Sequence, residues 1–398
     1  MGHLACALLL AIAELQVGAR AELRGGEAPP LAGQAPESAA RSTVQPEAGL
    51  AVRSHAGQTR LHYGPRLTYR APSHMGAEQP LVMHFLGAEH EQRLERGARV
   101  LGEVSTSFGD VDYTGLSQTL GPSQSTLPTL TRLLTLGGST ALEVRELRRW
   151  ILVSRLGATH QRPLDESGAA PVAGVALSQS TLVDLSQTAR HALSRRDELT
   201  LAAGLSDQRL SSGLHVLAVE PGAGWHRRLT RTHTLELRGG VVLAHAIAHP
   251  AGTGAPTVAS PVGHAGLVSR MRPARGLVVD SEVSAAATWF LDPVLVTSLT
   301  RGTVSASISA TFRRALTVAA SAQLATSLSL TPQPGHPDET LVRAEIPVRY
   351  RVSPRFSVEV GGRYSDRGQH LLASAVNLHQ RELWLYLQLV AGTHARVY

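Results

Sequence analysis

Histidine offers this chain its most obvious chemical potential, because 18 of the 398 residues are histidines. His84, His90 and Glu91 are close in sequence, but a strand places alternate residues on opposite faces and leaves only the two histidines together. No histidine pair has the His-Glu-x-x-His spacing that binds zinc on a helix. We therefore interpret the histidines as ordinary polar side chains and predict no metal site.

Signatures of catalysis are also scarce. The sequence has no Gly-x-Ser-x-Gly segment, the turn that presents a nucleophilic serine in hydrolases. Asp110 and Asp112 are one residue apart near a strand end, which favours a loop rim or a weak cation site over paired catalytic carboxylates. Gly252-Thr253-Gly254 lacks the preceding strand and following helix of a phosphate site. We expect neither enzyme activity nor a cofactor.

The charge balance is basic but diffuse. Lys and Arg together number 38 against 31 acidic residues, and every basic residue is an arginine. The arginines never form a run longer than two, and aromatic residues make up only 4% of the chain. A nucleic-acid interface needs clustered cations, and single strands also need stacking rings, so we expect no nucleic-acid partner.

The N-terminal region differs from the rest of the chain. Residues 4–13 are a continuous apolar run, too short for a membrane helix but suited to the core of a secretory signal. We predict a signal peptide over residues 1–21, which contains Cys6, the only cysteine, and so leaves no thiol chemistry in the mature chain. Residues 22–59 are rich in Ala, Pro and Gly and are predicted to form a flexible periplasmic leader.

From residue 60 onward the dominant pattern is an alternation of apolar and polar residues. Val304, Ala306 and Ile308, for example, alternate with serines. One apolar face and one face with charges of both signs are typical of a barrel with lipid outside and polar groups inside. Residues 60–398 are therefore predicted to form an outer-membrane barrel. The predicted inner wall carries Arg60, Arg66, Glu236, Arg238, Arg343, Glu345, Arg349, Glu359 and Arg363.

The connections between these segments alternate between short Arg-bearing links and longer polar ones, such as residues 111–138 and 250–275. This alternation predicts an all-β fold, a transmembrane antiparallel up-and-down β-barrel. The count is about 16 strands, with short strands at 294–299 and 303–312 counted separately, and 14 is the alternative.

The few aromatic residues lie near the ends of the predicted strands. Amphipathic rings prefer the headgroup levels of a bilayer, so this placement predicts two aromatic girdles. The predicted girdle residues are Tyr69, Phe108, Trp150, Trp225, Trp289, Phe312, Tyr350, Phe356, Tyr364 and Trp384.

Segments such as RYRVSPRFSVEVGGRYSDRG and RELWLYLQLV resemble the outer-membrane β-barrel proteins of Gram-negative bacteria. The resemblance implies a location in the cell outer membrane, contact with its lipid and lipopolysaccharide, and insertion by the barrel-assembly machinery. It favours a passive, porin-like channel for small solutes, with anions attracted by the arginine-rich wall, or for an exported polymer. The alternatives are a non-conducting surface or scaffold barrel whose loops bind a partner, and a soluble periplasmic β-protein.

Overall fold

The fold is taken from a computed structural model of the chain. The structure describes residues 12–28, 37–71, 80–94, 97–112, 130–145, 149–164, 179–248, 257–292, 297–329, 337–371 and 376–397. The strands are β1 (Ile12–Ala28), β2 (Glu37–Arg53), β3 (Gly57–Ala71), β4 (Leu81–Arg93), β5 (Ala98–Asp112), β6 (Leu130–Val144), β7 (Trp150–Pro163), β8 (Ser180–Ala192), β9 (Asp197–Leu210), β10 (His215–Arg228), β11 (His233–Ala248), β12 (Thr257–Ala274), β13 (Leu277–Asp292), β14 (Thr297–Phe312), β15 (Leu316–Ser329), β16 (Pro337–Ser353), β17 (Phe356–Leu371) and β18 (Val376–Val397).

These 18 strands form one antiparallel sheet in which each strand pairs with its neighbours in sequence. The sheet closes on itself because β1 pairs with β18, from Ala13↔Val397 to Glu27↔Leu383. The all-β antiparallel barrel expected from the sequence is therefore confirmed, with 18 strands instead of about 16. Closure satisfies the backbone groups that an open sheet would leave unpaired at its edges.

Two of the additional strands correct the leader prediction. Residues 22–28 and 37–53, expected to be flexible, belong to β1 and β2, which also include part of the predicted signal peptide. Leu15, Val17 and Leu23 share the outer face of β1, while Arg20 and Glu22 lie on its inner face. The alternation is real but weak, since most of the remaining positions are Ala and Gly. Residues 1–11 lie outside the described part of the chain.

The second half of the barrel also differs from the sequence prediction in two places. Much of the predicted loop 250–275 is the strand β12, and the two short strands predicted at 294–299 and 303–312 are the single strand β14. In β12 the outward positions include Ala259 and Pro261 and the inward ones Val258, Val262 and Val268, which leaves little hydrophobic contrast between the two faces. Of the predicted loop 111–138, residues 130–138 belong to β6, and residues 113–129 lie outside the described residues.

The two ends of the barrel differ. At one end the connections are short, from two residues in the β12–β13 turn, where Gly276 has a φ of +80°, to five between β6 and β7. At the other end they range from four residues between β9 and β10 to seventeen between β5 and β6. The start of β1 and the end of β18 both lie at the short-turn end.

The strand register divides the side chains between the two faces. Residues paired across antiparallel strands point to the same side, and side chains from strands that are not neighbours meet only on the concave side. The Tyr386 hydroxyl on β18 contacts Glu345 on β16, so their face is the inside. The opposite face exposes large apolar side chains, including Ile346 (59%), Val283 (54%) and Ile308 (52%). The barrel is apolar outside and polar inside.

Candidate functional site: the inner wall

All nine charged residues predicted for the inner wall lie on the concave face. Arg60 and Arg66 are on β3, Glu236 and Arg238 are on β11, and the other five are on β16 and β17. They share this face because the cross-strand pairs, such as Arg349↔Glu359 and Arg60↔Glu89, keep the alternation in phase around the barrel.

A network centred on Glu345 covers the wall formed by β16 to β18. Arg363 donates to both oxygens of this carboxylate, at 2.9 Å from Nη2 and 3.2 Å from Nε. Arg343 approaches it at 3.4 Å, and the Tyr386 hydroxyl lies 3.0 Å away. The same hydroxyl is 3.2 Å from Glu359. Bidentate arginine–carboxylate pairing is among the stronger charged contacts, so the carboxylates of this wall are paired and the wall is ordered.

A glycine makes room for the aromatic member of this network. The Tyr386 ring lies where a side chain on Gly361 would stand, since a Cβ there would come within 2.7 Å of the ring. The ring therefore packs flat against the wall and its hydroxyl reaches both carboxylates. Beside it, Arg349 Nε donates to Glu359 at 2.7 Å.

Replacing Glu345 with Gln should destabilise the barrel by about 1–3 kcal/mol, because Arg343 and Arg363 would then face each other without the carboxylate between them. The change would be measured as a shift in the urea midpoint of the refolded protein. Glu282→Gln is the matched control, since Glu282 is an exposed inner-wall carboxylate with no ion pair to a described residue. Equal midpoints for the two variants would contradict the network's role.

Arg66 on β3, three strands along the barrel from β18, has different neighbours. Its Nη2 is 3.4 Å from Met83 Sδ, and its guanidinium is 4.9 Å from the centre of the Phe85 ring. Both neighbours lie on the inner face of β4. A cation held over a ring and a thioether keeps its charge available to the interior. Arg60, on the same face of β3, contacts its cross-strand partner Glu89 at 3.6 Å.

A second charged cluster, which the sequence does not predict, lies near the short-turn end. Glu143 on β6 accepts from Arg99 Nη2 at 2.7 Å and also contacts Arg145. Its side chain is only 4% exposed. The sequence shows a charged residue on the polar face of each of these strands. Only the register between β5 and β6 reveals that Arg99 lies opposite Glu143.

The long-loop end of the β13–β14 hairpin bends into the barrel. Pairing between β12 and β13 ends at Gly263↔Ala287, whereas β13 and β14 stay paired as far as Asp292↔Thr297. Ser260 on the inner face of β12 is fully buried, and its hydroxyl lies 2.7 Å from the hydroxyl of Thr300 on β14. This contact skips β13, so the hairpin end lies over the inner face of β12.

An apolar cluster holds the bent hairpin against the wall. Trp289 and Leu291 pack against side chains from β9 to β12, and Leu291 is only 5% exposed. Trp289 was predicted for an outer girdle, and that prediction is wrong because burial against this cluster turns its ring inward. The other members of the cluster are Leu210, Leu214, Val216, Ala218, Val242, Ala244, Ala246 and Val262.

A cavity of about 810 Å³ lies on the inner wall beside the hairpin. Gly222, Gly224 and Gly240 leave its floor without side chains, and Thr288 and Trp289 contribute from the hairpin. Its charged and imidazole-bearing lining residues are Arg190, Glu198, Glu220, His226, Glu236, Arg238 and His264. The inner wall is therefore recessed at this cavity, whereas large side chains cover the inner wall at β16 to β18.

Solved structures share this architecture. The barrel aligns with OccAB2 of Acinetobacter baumannii at a TM-score of 0.50 and 9% identity, covering 96% of this chain and 98% of that one. The FrpB iron transporter of Neisseria meningitidis (F5-1 variant) aligns at 0.51 and 9% identity, over 94% and 82%. The outer membrane protein OpdK of Pseudomonas aeruginosa aligns at 0.47 and 9% identity, over 96% and 99%. The chain has the fold of an outer-membrane β-barrel. No protein-family model and no curated protein matches the sequence.

Eight of the ten predicted girdle residues lie on the outer face of this outer-membrane barrel. Five of them are exposed, from Tyr364 (37%) to Tyr350 (52%). Trp384 is the second exception after Trp289: it pairs with Arg363 on the inner face and is 6% exposed. Four leucines of β18 take the lipid side, which leaves Trp384 and Tyr386 inside. The eight are Tyr69, Phe108, Trp150, Trp225, Phe312, Tyr350, Phe356 and Tyr364.

Several histidines lie on the outer face near the ends of their strands. His84 stacks between Tyr63 and Phe108, at centroid distances of 6.1 and 4.6 Å. On β11, His233 and His245 lie twelve residues apart on the outer face. At about 3.3 Å per residue and a tilt of about 45°, this spacing spans about 28 Å of membrane. The two imidazoles are therefore separated by about the thickness of a bilayer's hydrocarbon core.

The remaining candidate residues from the sequence are Asp110, Asp112, residues 252–254 and His90. Asp110 forms an ion pair with Arg132 at 2.9 Å on the outer face, while the side chain of Asp112 and residues 252–254 lie outside what the structure describes. His90 also faces outward, 2.9 Å from the Thr59 hydroxyl. The described residues contain no group of three His, Cys, Asp or Glu suited to a metal ion. They also form no helix long and apolar enough to cross a membrane.

Proposed function

We propose that this outer-membrane barrel is a passive, porin-like channel for small polar solutes. The observation that carries the proposal is a charged inner wall, with a recess of about 810 Å³, inside an 18-stranded barrel. Barrels of eight strands are filled by their own side chains, whereas those of 16 to 18 strands enclose enough space for a water-filled channel.

The charges of the wall support permeation with little ion preference. The arginines of β16 and β17 are largely paired with Glu345 and Glu359. Charges of both signs elsewhere, such as Arg190 and Glu220, have no ion-pair partner among the described residues. The excess of arginine over acidic residues should therefore attract anions less strongly than the composition suggests.

Purified protein in planar lipid bilayers should give stepwise current increases at neutral pH. In a salt gradient the reversal potential should stay near zero, because paired charges leave only a weak net field in the interior. Heat-denatured protein is the control. A protein that inserts into the bilayer, as shown by detergent-dependent extraction, but produces no steps would instead support a non-conducting scaffold barrel.

A further inference from the structure

The recess in the inner wall has a cation at one end and a carboxylate at the other that form no ion pair within the described part of the chain. Arg190 on β8 and Glu220 on β10 both line the cavity. Neither forms an ion pair with another described residue. Arg238, the second cation of the recess, is already held by Glu236 at 2.5 Å. Glu198 on β9 also lines the cavity without an ion pair to a described residue, but it lies beside Arg190, so Glu220 is the carboxylate that stands apart from the cation.

The register fixes how far apart these two charges stand. Arg190 is level with Thr200 and Gly224, and Glu220 lies four residues along β10 from Gly224. The two Cα atoms are thus separated by two strand spacings, about 10 Å, and by about 13 Å along the strands. The long arginine and glutamate side chains can reach toward each other across this gap, leaving several ångströms between their charged groups.

The surface between the two charges is small and uncharged. Ala202 and Gly222 form the floor, because they are paired on the inner face and both line the cavity. Trp289 on the bent hairpin borders the same cavity. Its buried indole N–H has no hydrogen-bond partner among the described residues. The recess is therefore apolar in its middle and charged at its ends.

We propose that this recess binds a small zwitterion whose carboxylate and ammonium groups are separated by a short methylene chain. Arg190 would bind the carboxylate and Glu220 the ammonium group, while the methylenes pack on the glycine floor and against the Trp289 ring. The inference deepens the proposed channel function and rests on it: the site would slow and select solutes inside the channel. A ligand with adjacent charges, such as glycine, cannot reach both ends.

A series of ω-amino acids of increasing length tests the site. Glycine, 4-aminobutanoate and 6-aminohexanoate would be compared as blockers of single-channel current and, by calorimetry, as ligands of the detergent-solubilised protein. We expect the affinity to rise along the series. Arg190→Gln and Glu220→Gln should each weaken binding of 6-aminohexanoate by about tenfold or more, because each leaves one charged end of the ligand without its partner.

Two inner-wall substitutions outside the recess serve as matched controls. Arg155→Gln and Glu282→Gln remove the same charges from β7 and β13, at positions that do not line the cavity, and should leave binding unchanged. Equal binding of glycine and 6-aminohexanoate, or equal losses in the recess and control variants, would overturn the site. Length-dependent binding without any current steps would keep the site and refute the channel instead.

Discussion

Replacing Trp289 with alanine should release the end of the β13–β14 hairpin from the inner wall and increase the single-channel conductance. The indole packs against the cluster that includes Val242, Ala244 and Leu291. Removing a packed tryptophan side chain costs about 3 kcal/mol or more, which leaves Leu291 and the Ser260–Thr300 hydrogen bond to hold this end. Backbone amides of residues 297–302 should also exchange hydrogen faster, which reports local opening without depending on current.

The barrel offers a closely matched control for this change. Trp225 is a tryptophan of the outer face, paired with Leu199 and Leu237 and 5.5 Å from the Arg227 guanidinium. Trp225→Ala should alter neither the conductance nor the exchange at residues 297–302. Unchanged exchange and conductance in the Trp289 variant would show that the hairpin end is held by contacts other than this ring.

The architecture of the barrel could be predicted because one local rule repeats around it. In β14, Val304 and Ile308 face out and Ser305 and Ser307 face in, as the period-two pattern requires. The same rule placed all nine charged residues on the inner wall. Side-chain alternation depends only on strand geometry, so it needs no knowledge of which strand pairs with which.

The missed strands show where that rule loses its signal. In β1 and β2 the outward positions include Ala19, Ala21 and Ala48, whose side chains differ little in hydrophobicity from inward glycines. A weak alternation of this kind is indistinguishable from an Ala- and Gly-rich linker. Only the pairing of β1 with both β2 and β18 identifies it as wall.

The two misplaced tryptophans have a different cause. Both lie in strands that were predicted, but their direction depends on non-local packing. Trp384 faces in because the leucines of β18 form the more apolar face, and Trp289 turns in because the hairpin end leaves the plane of the sheet. The bend, and with it the recess, arises where β13 stops pairing with β12, which no short-range pattern specifies.

The largest stability loss from a single outward-facing charge is expected at Ile308. This residue lies near the middle of the outer face of β14, is 52% exposed and is four residues from the girdle residue Phe312. Ile308→Arg would place a guanidinium in the hydrocarbon, at a cost of about 2–4 kcal/mol. The loss would be measured as a lower urea midpoint for protein folded into lipid vesicles.

The adjacent residue provides the control that makes this test specific. Ser307 follows the same backbone but faces inward, opposite Glu282 and Ser321. Ser307→Arg adds the same side chain to a polar, hydrated wall beside a carboxylate, so its urea midpoint should stay close to that of the unmodified protein. Because the two positions differ only in the face they occupy, a large loss for Ile308→Arg alone would locate lipid on the outside. Equal losses would mean that the outer face does not contact hydrocarbon at this level.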